Sequence, residues 1–426
     1  MKSGIIETVS KAPDASKPIL AICGAGNAGH ALAVVTSQRF DGDVYWLTGS
    51  EEKADALSSS VFSGEGLQSA GVISGRADRI ALISADPEKI IPKADIVLIA
   101  VPAFAHAIVL EQIAPHLSPH AILGVLPSRS GFEFEVTAIL GDKAKGRGTI
   151  FGLQTLPWST RVQEVGKRVH FGALKAKVLL ATMPSSHAPR IARLLTRLLG
   201  TEFVATPNFL NMTLGNPGQI IHPGLMYGFF GAWSGETYGD AQIPHFYADA
   251  TDRIGEFVEE LSNDILRVAR RIEVLSRDTL DLSGVLSVHD WLRISYPTQT
   301  QDVQSVATCF RTGPLQHRKA PMLEREPGEF VPDFRYRYLG EDVPYGLAVT
   351  RAFAEIAGVQ TPAVDAVLNW AQAKLGTRYL IDGEMRGEGT QSLPLPQNHG
   401  VDSIDAVVDW YASRRGDRRL QPASVR

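Results

Sequence analysis

Cysteine is nearly absent from this sequence, which holds only Cys23 and Cys309 among its 426 residues. Two thiols cannot build a disulfide framework, and no cysteine or histidine spacing matches a zinc site, so we expect no metal centre. Cys23 stands beside a glycine at the end of an apolar segment. We interpret it as a small buried residue and not as a reactive thiol.

An excess of charge of either sign is also missing. The 42 Lys and Arg residues nearly balance the 46 Asp and Glu residues, for a formal net charge of -4. The basic pairs that stand out are Arg414-Arg415 and Arg418-Arg419. Such a chain has little electrostatic attraction for nucleic acid or an anionic membrane, so we expect neither as a partner.

Long apolar runs are missing as well. No run approaches the roughly 18 residues that a membrane-spanning helix needs. The first sixteen residues are polar and lack the apolar core of a signal peptide, so we interpret residues 1–17 as a loose arm and expect a cytoplasmic protein. With 44% hydrophobic and 21% charged residues, the chain is typical of globular proteins and long enough for two domains with separate cores.

The best-defined pattern is a strand, a turn, a helix and a second strand near the start of the chain. Apolar residues 19–22 predict the first strand, residues 28–36 an alanine-rich helix, and residues 44–47 the second strand. This is the order of a βαβ unit, the structural context in which a glycine-rich turn binds a dinucleotide.

The turn itself has the G-x-G-x-x-G spacing and reads Gly24-Ala25-Gly26-Asn27-Ala28-Gly29. Gly24 permits the tight turn, Gly26 lets the backbone approach a pyrophosphate, and Gly29 lets helix and strand pack closely. The first N–H groups of the helix, at Asn27 and Ala28, attract the phosphate charge. The pattern predicts a nicotinamide dinucleotide site.

The end of the second strand does not distinguish NADH from NADPH. An NAD-selective site usually has Asp or Glu there, to bond the ribose 2′-hydroxyl, whereas this chain has Thr48-Gly49-Ser50. No arginine follows to bind a 2′-phosphate. We expect Thr48 and Ser50 to contact the cofactor, and Val101 and Pro102, at the end of a later strand, to form the wall beside the nicotinamide ribose.

Strands alternate with helices over residues 18–205. This alternation predicts an α/β dinucleotide-binding domain with a doubly wound, mostly parallel sheet of Rossmann type. Two of its later strands, at residues 169–174 and 177–182, are predicted to form a closing hairpin.

From residue 206 to residue 426 the apolar spacing becomes helical, which predicts an all-α domain for substrate binding and catalysis. Residues 210–230 are predicted to be helical, and residues 314–334 to form a loop. We expect the substrate to meet the nicotinamide in the cleft between the two domains.

Two candidates for the chemistry lie in this second half. His222 follows Gly215-Asn216-Pro217 and precedes Pro223, and its near-neutral pKa suits proton transfer during hydride chemistry. A core or capping histidine is the alternative. Arg337 and Asp342 form the second candidate, because arginine offers a planar fork for a carboxylate and aspartate can fix the tautomer of an imidazole. Their alternative is a helix cap with a surface ion pair.

Together these elements resemble the octopine/nopaline (opine) dehydrogenases over roughly residues 18–415. The resemblance rests on the glycine turn and on three further motifs: Thr155-Leu156-Pro157, Asn216 with His222-Pro223, and Arg337-Tyr338-Leu339-x-Glu341-Asp342-Val343. It implies an NADH- or NADPH-dependent oxidoreductase acting on CH-NH groups. Enzymes of this family join an α-keto acid to the amino group of an amino acid and reduce the resulting imine.

The resemblance also implies roles for single residues. His222 would donate and accept the proton with Asp342 as its orienting partner, and Arg337 would bind a substrate carboxylate. Thr155 would bond the keto acid. The other predicted substrate contacts are Gln154, Asn216 and Trp291, the last as an aromatic wall for the amino substrate.

One departure from the family concerns residues 127–131, which read Pro-Ser-Arg-Ser-Gly where relatives often have Pro-Gly-Ser. Because this turn follows a strand of the predicted sheet, Ser128 and Ser130 are candidate contacts to cofactor or substrate.

Two other functions fit the same residues. One is a two-domain keto acid reductase of the ketopantoate kind, which needs no amine. The other is a non-catalytic redox sensor that binds the dinucleotide. The expected partners are small-molecule substrates; which amino acid and keto acid they are, and whether the chain is a monomer or a homodimer, stays open.

Overall fold

The computed structural model describes residues 17–141 and 148–416, so the predicted N-terminal arm lies outside the described residues except for Lys17. The strands are β1 (Ile19–Cys23), β2 (Asp43–Leu47), β3 (Gln68–Gly71), β4 (Gly75–Arg76), β5 (Ile80–Ser84), β6 (Ile96–Ile99), β7 (Ile122–Val125), β8 (Thr149–Leu153), β9 (Trp158–Glu164), β10 (Arg168–Leu174), β11 (Lys177–Met183), β12 (Glu202–Ala205), β13 (Met322–Glu326), β14 (Glu329–Pro332), β15 (Leu380–Ile381) and β16 (Glu384–Met385). The helices are α1 (Asn27–Arg39), α2 (Glu51–Val61), α3 (Pro87–Ile90), α4 (His106–Ile113), α5 (Phe132–Leu140), α6 (Ala188–Leu199), α7 (Leu210–Leu214), α8 (Gly218–Phe230), α9 (Asp252–Leu275), α10 (Val288–Ser295), α11 (Val306–Thr312), α12 (Arg337–Gly340), α13 (Ala348–Ala357), α14 (Pro362–Leu375) and α15 (Ile404–Ala412).

Eight strands form the main sheet, in the order β12-β11-β8-β7-β6-β1-β2-β5. The six strands from β8 to β5 are parallel, whereas β11 runs antiparallel to β8. The chain moves outward from β1 to β2 and β5, then returns to place β6 on the other side of β1. The order therefore reverses between β1 and β6, and ligands of open α/β sheets bind outside the strand ends at such a point. The predicted Rossmann-type sheet is confirmed.

The two faces of the sheet belong to two separate cores. Leu20 and Ile22 of β1 pack with α1 and α6 on one face. Ala21 and Cys23 point to the other face, whose core continues through α4 and α5 into the helices of the second half. The interpretation of Cys23 is confirmed, since it is fully buried and burial raises the pKa of its thiol to about 12.

The predicted hairpin of residues 169–174 and 177–182 is wrong. Both strands exist, as β10 and β11, but they pair with different sheets. β10 pairs with β3 and β9 in a small four-stranded sheet, whereas β11 pairs with β8 and β12 in the main sheet. The short connection through Lys175 and Ala176 suggested local pairing, but long-range partners prevail. This connection carries the chain from one sheet to the other.

The second half is mainly helical, but it differs from the predicted all-α domain at three places, of which one is the short hairpin β15–β16. Residues 210–230 form α7 and α8, which are separated by Gly215-Asn216-Pro217. The helix breaks there because a proline disfavours helical backbone at the residue before it. The loop predicted over residues 314–334 contains the hairpin β13–β14. No helix among the described residues combines the length and apolar character needed to cross a membrane.

Candidate active site

The glycine turn connects β1 to α1 as predicted. Gly24 has a φ of +118°, in the left-handed region that favours glycine, and a Cβ there would meet Val101 Cγ1 at 2.6 Å. A Cβ on Gly29 would stand 2.0 Å from the Gly24 carbonyl oxygen, so the helix reaches the strand this closely only with glycine. Gly26 differs from both, because a Cβ there would have no atom within 4 Å.

Other predicted cofactor residues surround this turn. Thr48 follows β2 and donates its hydroxyl to the Ser50 carbonyl oxygen at 2.9 Å, while the Ser50 hydroxyl caps α2. Val101 and Pro102 follow β6 and stand beside the turn through the contact of Val101 with Gly24. Asn27 accepts the Val162 N–H in its side-chain oxygen at 2.7 Å, which joins the turn to β9.

These residues fit a bound dinucleotide. The Gly26 N-cap has no side-chain capping bond, and the first turn of α1 has no acidic residue. The first N–H groups of α1 can therefore donate to an anion, and the open space at Gly26 lets a pyrophosphate approach them. Gly24, Gly26, Asn27, Ala28 and Gly29 would hold the pyrophosphate.

His222 lies on α8, and its side chain faces that of Asp342, which lies in the segment after α12. Its Nδ1 is 2.7 Å from Asp342 Oδ2, and its ring stacks on Tyr338 with 3.9 Å between ring centroids. Burial raises the pKa of Asp342, but the nearby Arg129 and His222 outweigh it and hold that pKa below its usual 3.8. The carboxylate can only accept a hydrogen bond, so Nδ1 carries a proton and Nε2 is the atom that exchanges one.

The environment of His222 disfavours its charged form. Burial lowers the pKa of His222, and Asp342 opposes this only in part, so the pKa lies below its usual 6.5. The side chain is nevertheless 19% exposed, which leaves one edge accessible. A histidine of this kind is neutral at pH 7 and gains its proton when a favourable charge arrives.

Arg129 is the functional residue that the sequence analysis missed. Its guanidinium is buried between two carboxylates, 2.7 Å from Asp342 Oδ1 and 3.0 Å from Glu341 Oε1. Burial lowers the pKa of Arg129, but both carboxylates raise it, and the net shift is upward. The Glu341 carboxylate also accepts the Ala103 N–H at 3.1 Å, next to the predicted ribose wall. This network ties Asp342 to the nucleotide side of the cleft.

The only signal for Arg129 was its place in the turn after β7, where the chain departs from the family. The two serines beside it point elsewhere: Ser130 donates to the Thr213 carbonyl oxygen at 2.6 Å, and both Ser128 and Ser130 are buried.

Asn216 occupies the break between α7 and α8. Its side-chain oxygen accepts the Gly218 N–H at 3.0 Å and an Arg129 N–H at 3.2 Å. Its side-chain nitrogen is buried without a hydrogen-bond partner in the described part of the chain. An unpaired buried donor is costly. Because Asn216 lines the cleft, a bound substrate oxygen would supply the missing hydrogen-bond acceptor.

Gln154, Thr155 and Trp291 form another wall of the same cleft. Gln154 donates to the Gly215 carbonyl oxygen at 2.7 Å and accepts the Trp291 indole N–H at 3.1 Å. Its polar atoms are thus engaged with protein. Thr155 is half-buried, and its hydroxyl donates to the Leu156 carbonyl oxygen at 3.0 Å.

Arg337 forms an ion pair with Glu341, with Nε 3.3 Å from Oε2, but this carboxylate is buried, so the pair differs from the surface pair of the alternative interpretation. It also lines the cleft, and its side chain is 44% exposed. The pair is long, so the guanidinium can still offer its terminal nitrogens to a carboxylate.

The cleft that joins these groups has a volume of about 220 Å³. Its wall includes Asn27 of the glycine turn together with His222 and Arg337, which lie 195 and 310 residues later in the chain. Among the described residues, no group of three or more His, Cys, Asp or Glu side chains is placed to hold a metal ion. Fold and cleft together define a nicotinamide-dependent oxidoreductase with a sheet and a helical half.

Comparison with known proteins identifies the family within this class. Residues 205–375 match the model described as the NAD/NADP octopine/nopaline dehydrogenase alpha-helical domain. The chain is 33% identical over 403 residues to opine dehydrogenase of Haliotis discus hannai, covering 91% of this chain and 98% of the relative. It is 32% identical over 403 residues to tauropine dehydrogenase of Arabella iricolor, covering 92% and 100%. A solved structure of octopine dehydrogenase with NADH and L-arginine matches with a TM-score of 0.80 at 28% identity, covering 95% of this chain and 100% of that one.

The chain belongs to the octopine/nopaline (opine) dehydrogenase family, which confirms the resemblance. It is an NAD(P)H-dependent oxidoreductase of the CH-NH class, whose reaction condenses an α-keto acid with the amino group of an amino acid and reduces the imine.

Proposed function

We propose that the cleft between the glycine turn and α8 is the site of this reductive condensation, with His222 as its proton-transfer residue. The observation that carries the proposal is the 2.7 Å contact between His222 Nδ1 and the buried Asp342 carboxylate, in a cleft that also contains Asn27 of the nucleotide turn. We further propose that residues 18–205 bind the dinucleotide and residues 206–426 bind and process the substrates.

The first step joins the two substrates. The amine attacks the keto carbon, water leaves, and a C=N bond replaces the C=O bond. We propose that Arg337 holds a substrate carboxylate through its terminal nitrogens, while Thr155 and the unpaired Asn216 N–H₂ bond substrate oxygens. Gln154 and Trp291 shape the pocket of the amino substrate. Holding both substrates in one cleft lowers the entropic barrier to condensation.

The second step is reduction of the imine. When bound, the dihydronicotinamide supplies the hydride that the imine carbon accepts. His222 takes up a proton at Nε2 from solvent and passes it to the imine nitrogen, because a protonated imine accepts hydride more readily than a neutral one. Asp342 keeps the imidazole in the tautomer that leaves Nε2 available, and Arg129 keeps Asp342 ionised. The product is a secondary amine that carries both substrate skeletons.

Nucleotide oxidation that depends on both substrates is the test. We expect NADH or NADPH consumption with pyruvate or 2-oxoglutarate only when an amino acid is added. His222→Ala should reduce turnover by on the order of 10²–10⁴ while leaving nucleotide affinity near normal. His120→Ala is the matched control, because His120 is exposed near the start of β7, away from the cleft.

Other outcomes favour the two rival functions. Oxidation by a keto acid alone, unaffected by amines, would indicate a reductase of the ketopantoate kind. Tight nucleotide binding without turnover on any mixture would indicate a redox sensor. Turnover in His222→Ala equal to that of the parent would remove His222 from the mechanism. The cytoplasmic location and the choice between monomer and homodimer remain predictions from the sequence.

A further inference from the structure

The wall of the cleft is unusual in charge. Five of its side chains are cationic, and no Asp or Glu is among the residues that line it. Two of the five are compensated from behind the wall, since Arg129 pairs with Asp342 and Glu341, and Arg337 pairs with Glu341. The other three, Arg161, Lys175 and Arg318, have no carboxylate within ion-pair distance among residues 17–141 and 148–416.

Lys175 differs from the other two because it is buried. Its residue is 7% exposed, whereas Arg161 and Arg318 are exposed at the surface. It lies in the short connection between β10 and β11, and its backbone N–H donates to the Pro157 carbonyl oxygen at 2.8 Å. This bond fixes the backbone at Lys175, and the side chain extends from it to the wall of the cleft.

The contacts of the Lys175 ammonium leave most of its hydrogen-bonding capacity unused. Nζ donates to the Leu156 carbonyl oxygen at 2.9 Å and lies 5.5 Å from the ring centroid of Tyr296 and 6.0 Å from that of Trp291. An ammonium has three N–H donors, so two have no acceptor in the described part of the chain. A buried charge without a counter-ion is costly, and an anion in the cleft would remove that cost.

This ammonium lies beside the residues proposed above for the pocket of the amino substrate, Gln154 and Trp291. Trp291, whose ring lies near Nζ, is also the hydrogen-bond partner of Gln154, and both atoms of the Gln154 amide are already engaged. The Gln154 amide therefore has no free acceptor for a substrate, and the polar group that this wall offers is the Lys175 ammonium.

We propose that Lys175 binds an acid group of the amino substrate, a carboxylate or a sulfonate, and so determines which amines the enzyme accepts. The proposal rests on the proposed function for the identity of the amino substrate. The acid group has two possible sources: the one that every amino acid carries, or a second one on its side chain.

Lys175→Met tests the proposal, since methionine keeps an unbranched stem against the two rings and removes the charge. With saturating keto acid, we expect the KM of the amino substrate to rise on the order of 10- to 100-fold, the loss typical of a hydrogen bond to a charged group. The KM of the keto acid and the dissociation constant of NADH should not change. Lys177→Met is the matched control, because Lys177 is half-exposed and pairs with Glu202 on the surface.

The choice of amines separates the two sources of the acid group. If Lys175 binds the carboxylate that every amino acid carries, Lys175→Met raises the KM of alanine, glutamine and glutamate by the same factor. Ethylamine, which has no carboxylate, is then a poor substrate of both proteins. If Lys175 binds a side-chain acid, Lys175→Met raises the KM of glutamate and leaves the KM of glutamine unchanged. Taurine extends the comparison to a sulfonate.

Equilibrium binding keeps this test independent of turnover. Calorimetric titration of alanine, glutamate and taurine into the enzyme–NADH complex should show the same loss of affinity in Lys175→Met. Unchanged KM and unchanged affinity for all these amines would overturn the role of Lys175 while leaving the proposed function intact. Absence of turnover in the parent enzyme would overturn the proposed function, and the titrations would still decide the role of Lys175.

Discussion

At the scale of single residues, the site depends on two opposing effects on the pKa of the His222 imidazole. Burial lowers the pKa of His222, and the Asp342 carboxylate raises it in part. Asp342 is in turn held ionised by Arg129, whose own charge is balanced by Glu341. The result is a neutral histidine of fixed tautomer that can take up a proton without a large change in its surroundings.

Asp342→Asn tests this arrangement through the pH dependence of the reaction. Reduction needs protonated His222, so its kcat/KM should be constant at low pH and fall as the pH rises through a value below 6.5. Oxidation of the product needs neutral His222 and should rise over the same range. Asparagine removes the charge that raises the pKa of His222, so both breaks should move to lower pH, and turnover should fall about 10²–10⁴-fold.

The measurement is a pair of pH–rate profiles, one for each direction, for parent and variant. Parallel profiles for the two directions, or a variant whose breaks do not move, would contradict the assignment of His222 and Asp342.

At the scale of elements, the β1–turn–α1–β2 unit was predictable because all its determinants are local. The apolar strands, the three glycines and the helix that follows lie within 33 residues, from Pro18 to Ser50. The hairpin prediction for β10 and β11 failed for the opposite reason. The segment between them is short, but the strands that each one pairs with lie elsewhere in the chain. Pairing of buried strands is decided by the sheet that receives them.

Two glycine variants test whether the turn is built for a ligand or only for packing. Gly29→Ala places a methyl 2.0 Å from the Gly24 carbonyl oxygen, so it should destabilise the fold by about 1–3 kcal/mol. Gly26→Ala meets no protein atom within 4 Å, so its stability should stay within about 0.5 kcal/mol of the parent. Its added methyl enters the space expected for the pyrophosphate, so NADH affinity should fall about 10- to 100-fold.

Thermal unfolding and NADH titration of the two variants give the result. A Gly26→Ala variant that binds NADH like the parent would mean that the open space at Gly26 is not part of the nucleotide site.

At the scale of the whole molecule, the site is an assembly of distant segments. The resemblance to the family identified His222, Arg337 and Asp342, and folding brings them to one cleft with Asn27. The residues that complete the arrangement could not be found in this way. Arg129 becomes a site residue only through partners more than 80 residues away, Asn216, Glu341 and Asp342. The charge of Lys175 becomes informative only once burial and the missing carboxylate are known.

We propose that this cleft reduces an imine made from two substrates. The most direct measurement is mass spectrometry of the product formed from an α-keto acid, an amino acid and NADH carrying two deuterium atoms at C4. We expect a secondary amine whose mass equals that of both substrates less one water, plus one deuterium on the former keto carbon and one proton on the nitrogen. A deuterated 2-hydroxy acid, with the amino acid unconsumed, would contradict it.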